Sequence, residues 1–222
     1  MKTKRNPFSV VGRGNGWICI EKPGGVSVHN EPGRDVVSLL DNVQPVHRLD
    51  RDTSGLLLLA LDKETTARLS RLFAQGKVKK RYKALVHGNF DTPFGTGGVW
   101  EYPLSKQAGG RKDPAGRGKK QQALTRFRVE DTSAHYTLLD ITLETGRKHQ
   151  IRRHAKLAGH PVVGDKRYGS PRALTFLKAQ RGFTAMGLHS WFLRFEDRGQ
   201  TVTLEQPELP SDVLRLFAED KA

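Results

Sequence analysis

The stretch Leu56-Leu57-Leu58-Leu59-Ala60-Leu61 places the strongest limit on the fold. Its length and apolar character suit a strand buried in a core. Directly before it stand His47, Arg48, Leu49, Asp50, Arg51, Asp52, Thr53, Ser54 and Gly55, which then form the loop entering that strand. A carboxylate on a loop anchored by a core strand is held rigidly and can still reach a substrate. Asp50 lies between Arg48 and Arg51, and nearby cations favour its charged form. By pattern alone the same residues also read as a solvated turn with a Thr-Ser-Gly break.

The chain has 222 residues, 36% hydrophobic and 27% charged. That suits one domain, taken as residues 1–222, with residues 1–16 as an N-terminal tail. No apolar run approaches the roughly 18 residues of a membrane span, so no membrane partner is expected. The basic start, Met1 to Pro7, leads into no apolar segment of the secretory kind. Cys19 is the only cysteine, which excludes an intrachain disulfide and a four-cysteine zinc site. These features fit a reducing, cytoplasmic setting. A monomer is the default expectation.

The formal net charge is +15, which favours a polyanionic partner, nucleic acid above all. The cations cluster: Lys63 to Lys83 holds eight Lys or Arg against Glu64 alone, and Glu144 to Tyr168 holds seven against two acids. A generic basic surface that serves solubility is the alternative.

Trp17 to Glu21 reads as a strand stopped by Lys22-Pro23-Gly24-Gly25. A short helix fits around Val36 to Leu40. A helix over Lys63 to Gln75 has Asp62 as its cap, an apolar stripe of Leu69, Leu72 and Phe73, and Gly76 as its stop. Arg68 and Arg71 then fall on its solvent side. A strand begins at Lys79, with Tyr82, Ala84 and Val86 on one face; on general grounds such a Tyr belongs to the core. Residues 104–122 carry four glycines, one proline and six basic residues, too little apolar area to order themselves. They read either as a mobile loop that closes over a polyanion or as a disordered surface loop. Strands at about Ala123 to Val129 and Tyr136 to Leu143 precede a helix from about Arg147 to Ala158, in which Lys148, Arg152 and Lys156 share a face. A helix over Pro171 to Gln180, strands at Gly187 to Phe195 and Thr201 to Leu204, and a helix over Ser211 to Phe217 complete a mixed α/β (α+β) pattern.

Three blocks carry a family resemblance: His47-Arg48-Leu49-Asp50-x-x-Thr53-Ser54-Gly55; Lys80-x-Tyr82-x-Ala84; and Thr145-Gly146-Arg147-Lys148-His149-Gln150-Ile151-Arg152-x-His154 with Gly159-His160-Pro161-x-x-Gly164-Asp165-x-x-Tyr168-Gly169. Together they resemble, in order, the motifs of the RluA-type pseudouridine synthases, over about Trp17 to Phe195. Lys22 to Gly25 is similar to a turn of the same family. The resemblance implies a largely antiparallel, bent central sheet flanked by helices and loops, with a basic cleft. It implies isomerisation of uridine already within tRNA or ribosomal RNA, without metal or cofactor. By the same resemblance Asp50 is the catalytic residue acting at the ribose, Tyr82 lines the active site, and Arg152 pairs with the catalytic Asp. Arg48 fills the space left by a flipped base. Arg147, His149 and Thr53 join Arg48 as RNA-contacting residues.

The residues agree with that chemistry. A lone carboxylate nucleophile needs a cation to stay ionised in a dry pocket, and the planar guanidinium fork suits a carboxylate. Other chemistries are poorly served. His149 and His154 are five apart and miss the His-x-x-x-His spacing of a zinc helix. Ser54 lacks a Gly-x-Ser-x-Gly elbow. Gly12-x-Gly14-x-Gly16 precedes the first expected strand, on the wrong side for a dinucleotide fingerprint. A non-catalytic RNA-binding or ribosome-assembly protein and a metal-dependent nuclease are the competing functions.

Overall fold

In the computed structural model, which describes residues 7–90 and 94–221, the leucine run lies in a strand, Ser54–Ala60, whose seven residues are all buried, while Leu61 falls just beyond it and is exposed. In chain order the elements are β1 (Val10–Gly14), β2 (Trp17–Lys22), α1 (Val36–Leu39), β3 (Gln44–Pro45), β4 (Ser54–Ala60), α2 (Lys63–Ala74), β5 (Lys79–His87), β6 (Gly97–Trp100), β7 (Leu104–Ser105), β8 (Lys120–Gln121), β9 (Thr125–Thr132), β10 (Tyr136–Leu143), α3 (Gln150–Leu157), α4 (Pro171–Arg181), β11 (Leu188–Asp197), β12 (Gln200–Glu205) and α5 (Ser211–Lys221). They form the mixed α/β architecture expected. The chain folds into two compact units: Met1–Lys80 with Ser190–Glu208, and Arg81–His189 with Leu209–Ala222.

In the first unit β4 pairs antiparallel with β2, from Lys22 opposite Gly55 to Trp17 opposite Ala60. The short β3 pairs with β4 as well, and β12 pairs with β11. Leu56, Leu58 and Ala60 face a core of Trp17, Cys19, Leu69, Leu193 and Phe195. Burial pushes the Cys19 thiol up to about 12. Helix α2 begins where Asp62 accepts the Thr65 N–H at 2.7 Å, a side-chain cap for an otherwise orphan donor. Arg71 is exposed as expected, but Arg68 is not simply solvated. It ion-pairs with Asp197, whose other oxygen accepts the Trp17 indole N–H at 2.9 Å.

The N-terminal tail also needs correction, because residues 10–14 form the strand β1, paired with β2. Its glycines looked like loop. At Gly14 a Cβ would stand 2.2 Å from the Trp17 ring, so the missing side chain makes room for the indole. Residues 1–6 of that tail lie outside the described residues.

In the second unit β10 pairs with β5 and β9, and β6 pairs with β9. A separate core of Leu85, Val163, Leu177, Phe183, Val213 and Phe217 lies here. The helix expected from Arg147 starts three residues later, at Gln150. His149 takes φ 54°, a left-handed conformation that breaks the helix before it. The Gln150 carboxamide explains the break. Its oxygen accepts from the Thr145 hydroxyl at 2.8 Å and the Arg147 N–H at 2.9 Å. Its nitrogen donates to the Leu124 carbonyl at 3.0 Å and the Thr125 hydroxyl at 2.9 Å. Lys148 therefore lies outside the helix, and the expected Lys148–Arg152–Lys156 basic face does not form.

Gly55 fixes the entry to β4. Its φ is +107°, and a Cβ there would meet the Ser190 carbonyl oxygen at 2.1 Å. Gly55→Ala should cost about 2 kcal/mol or more, from backbone strain and a clash with main chain. A thermal melt should fall by roughly 4–8 °C; an unchanged melting temperature would show that the two backbones do not approach this closely.

Candidate active site

The loop His47 to Thr53 is held in three ways. His47 accepts the Leu58 N–H at 2.9 Å and stacks on Phe73 with ring centroids 4.5 Å apart. Burial, helped by the Lys80 charge, pushes its pKa down to about 3. His47 is thus a neutral acceptor that fastens the loop to β4. Leu49 is buried beneath it. The Thr53 N–H donates to the Asp50 carbonyl at 3.1 Å, closing a turn that sets Asp50, half-buried, at its head and Thr53 in the interior. Arg48 is exposed.

The third fastening is Lys22, fully buried at the end of β2. Its ammonium donates to the carbonyls of Pro23 and Val26 at 2.8 Å and of Arg51 at 3.0 Å, using all three of its donors. The Arg51 carbonyl also accepts the Gly25 N–H at 3.0 Å. The Arg51 side chain returns to the Gly25 carbonyl at 3.0 Å. The Lys22–Gly25 turn and the Asp50 loop are therefore one hydrogen-bonded body. Burial pushes the Lys22 pKa down to about 8, against the opposing pull of Asp52 and Asp50.

In the second unit Tyr82 lies on β5 opposite Ile141 and is 8% exposed. Arg152 is on α3, also buried. Its guanidinium donates to both oxygens of Asp165, Nε at 2.7 Å and Nη2 at 2.8 Å. Asp165 also accepts the backbone N–H groups of Arg167 at 2.9 Å and Tyr168 at 3.0 Å, and the Tyr168 ring centroid lies 5.3 Å from the Arg152 guanidinium carbon. The sequence placed Asp165 within a motif without giving it this partner. His149 binds the Tyr168 hydroxyl through Nδ1 at 3.0 Å. Arg147 is exposed and donates to the Gln122 carbonyl at 3.2 Å.

The next residue, Arg153, went unremarked in the sequence. It is fully buried and donates to the carbonyls of Pro114 and Ala115 at 2.5 Å, Ser105 at 3.0 Å and Lys148 at 3.1 Å. Residues 104–122 consequently have more fixed structure than their composition suggests. Their ends pair as β7 and β8. Arg167 holds the Ala108 and Gly109 carbonyls at 2.7 and 2.9 Å. Arg111 reaches out to the Gly169 carbonyl. An arginine amid a glycine-rich loop's carbonyls leaves no periodic signal; a charged residue beside Ile151 and Ala155 on a short helix was the one available hint.

Two outcomes test this scaffold. The folded pKa of Lys22 lies below its unfolded value. Between about pH 8 and 10.5 the unfolded chain therefore holds a proton that the folded chain has lost. This group's contribution to stability rises with pH across that window, and its burial cost is carried in full below it. A 13C NMR titration of the Lys22 side chain should give a midpoint near 8; an ordinary lysine midpoint would mean that the cage is open to water. Asp165→Ala removes the buried carboxylate that accepts from Arg152 Nε and Nη2 and should destabilise the fold by about 3–5 kcal/mol, read by denaturant unfolding. A loss under about 1 kcal/mol would sink the assignment of Asp165 as the seat of Arg152.

The profile of the family described as RNA pseudouridylate synthase matches residues 16–157. Among curated relatives, ribosomal large subunit pseudouridine synthase D of Yersinia pestis is 31% identical, over 97% of this chain and 71% of its own. The tRNA pseudouridine synthase C of Haemophilus ducreyi is 34% identical over 85% of each chain. The solved structure of human RNA pseudouridylate synthase domain containing 1 shares the fold, with TM-score 0.75 over 93% of this chain and 86% of its own at 24% identity. By its motifs, its profile match and these relatives, the chain belongs to the RluA-type RNA pseudouridylate synthase family.

Proposed function

We propose that this protein converts uridine to pseudouridine within a tRNA or ribosomal RNA chain, with Asp50 as nucleophile. The observation that supports it most is the seating of the His47–Gly55 motif. Its carboxylate-bearing turn is fastened by Lys22 and His47 to a fully buried strand. That is the rigid support a nucleophile needs. The profile match covers the same residues. The relatives' names point to both RNA classes.

The reaction is an isomerisation and needs no redox partner. The C1′–N1 bond breaks and the uracil turns. A C1′–C5 bond then forms, the C5 proton leaves, and N1 gains a proton. In this reading Asp50 acts at the ribose. Tyr82 stacks on the uracil or assists loss of the C5 proton. Arg152, seated by Asp165, is assigned the active-site cation that contacts the substrate. The target base is flipped from its stack at a cost of a few kcal/mol, and Arg48, exposed on the Asp50 loop, fills the space it leaves. Thr53, Arg147 and His149 are assigned to the RNA side of the site.

The test is tritium release from RNA labelled at uracil C5, with EDTA present, using bulk tRNA and bulk ribosomal RNA separately. Wild type should release tritium from at least one. Asp50→Asn, with an unchanged melting temperature, should be slower by about 10³-fold or more. Salt-sensitive binding of both RNAs without release from either would favour a non-catalytic RNA-binding protein, and release abolished by EDTA a metal-dependent enzyme.

A further inference from the structure

Two sets of cations in the second unit differ in their partners. Those on its sheet are matched by acids: Arg81 with Asp140, Lys83 and Arg128 with Glu130, Arg126 with Glu144. Those of residues 104–122 are not. The segment carries six Lys or Arg and one acid, Asp113, whose carboxylate accepts the Gly116 N–H at 3.1 Å. Among the described residues, Lys106, Arg117 and Lys119 form no ion pair.

Those three line an open groove of about 490 Å³, together with Ser105, Gln107 and Gln121. The size falls within the roughly 300–1,000 Å³ of small-ligand clefts. Its shape is set from within. Leu104 pairs with Gln121 and Ser105 with Lys120, which joins the two ends of the segment. The Ser105 hydroxyl donates to the Arg117 carbonyl and accepts the Gln107 N–H at 3.1 Å. The groove is also fixed from behind. Arg153 and Arg167 are spent on backbone carbonyls of this segment, and Arg111 anchors it to Gly169. These clamps use no carboxylate, so they give order without cancelling charge. Unmatched cations in a concavity concentrate the local field on an anion, and a preformed cleft loses less entropy on binding. Two glutamine amides in the same walls can hydrogen-bond base edges.

We propose that this groove is a second RNA contact, remote in sequence from the Asp50 loop, that grips the backbone of the substrate RNA. Its cations hold phosphates, and Gln107 and Gln121 meet an unstacked base. It is a substrate-binding element and takes no part in the chemical step. The proposal rests on the RNA reading above.

The experiment compares wild type with Lys106→Ala/Arg117→Ala/Lys119→Ala and with Arg126→Ala/Arg128→Ala, which removes exposed but acid-paired cations. RNA affinity is measured from low to high salt, and KM and kcat by tritium release. Each lost phosphate contact lowers the slope of log K against log salt by about 0.7–0.9, so the triple variant should lose roughly 2–3 of slope. Its KM should rise about tenfold or more with kcat within about twofold, while the sheet variant stays near wild type. Arg153→Met keeps the three cations and frees the segment, so it should weaken binding with little change of slope. A triple variant with wild-type slope and KM overturns the proposal, as does an equal effect of the two charge-removing variants, which would mean a diffuse basic field. If wild type binds RNA but releases no tritium, the isomerase reading fails while the slopes still decide the groove.

Discussion

A cation buried against backbone carbonyls is the interaction on which this structure leans most. Lys22 gathers Pro23, Val26 and Arg51. Arg153 gathers Ser105, Pro114, Ala115 and Lys148. In each case a loop too polar to pack receives a central donor with several hydrogens, and carbonyls that strand or helix would otherwise satisfy are satisfied by one side chain. A carboxylate partner would have served the buried charge equally well, but at the expense of positive charge. In a chain with net charge +15, carbonyl clamps reconcile ordered loops with a surface suited to a polyanion.

Arg152 is the contrasting case. It takes a carboxylate, Asp165, one of whose oxygens is further fixed by two backbone N–H groups. Two adjacent arginines on one short helix thus have opposite partners, one ionic and one dipolar. The ionic pair fixes the guanidinium plane, because both Asp165 oxygens are engaged by its fork. Arg153 spreads its donors over four residues and fixes a loop.

Much of this was legible in the sequence. The leucine run gave β4, Asp62 and Gly76 bounded α2, and alternation gave β10 to the residue. The motif around Asp50 located a loop that the structure fastens through Lys22 and His47. What escaped was order supplied from afar. Arg68 read as solvated because its partner, Asp197, is 129 positions away. Residues 10–14 read as tail because the glycines that admit the Trp17 ring look like loop glycines. The start of α3 was misplaced because a single hub, Gln150, overrides helical periodicity. The glycine-rich 104–122 segment has no cohesion of its own, and its clamps lie some forty to sixty positions downstream.

The carbonyl clamps have an evolutionary consequence. A guanidinium bonded to main-chain oxygens does not read the side chains that share those residues. Substitutions at Ala108 or Ala115 leave the carbonyl available to Arg167 or Arg153. The groove lining can therefore drift in charge and hydrogen-bonding pattern while its backbone shape persists. Specificity for a new RNA becomes reachable by point changes on a retained scaffold, without a new solution to folding the loop.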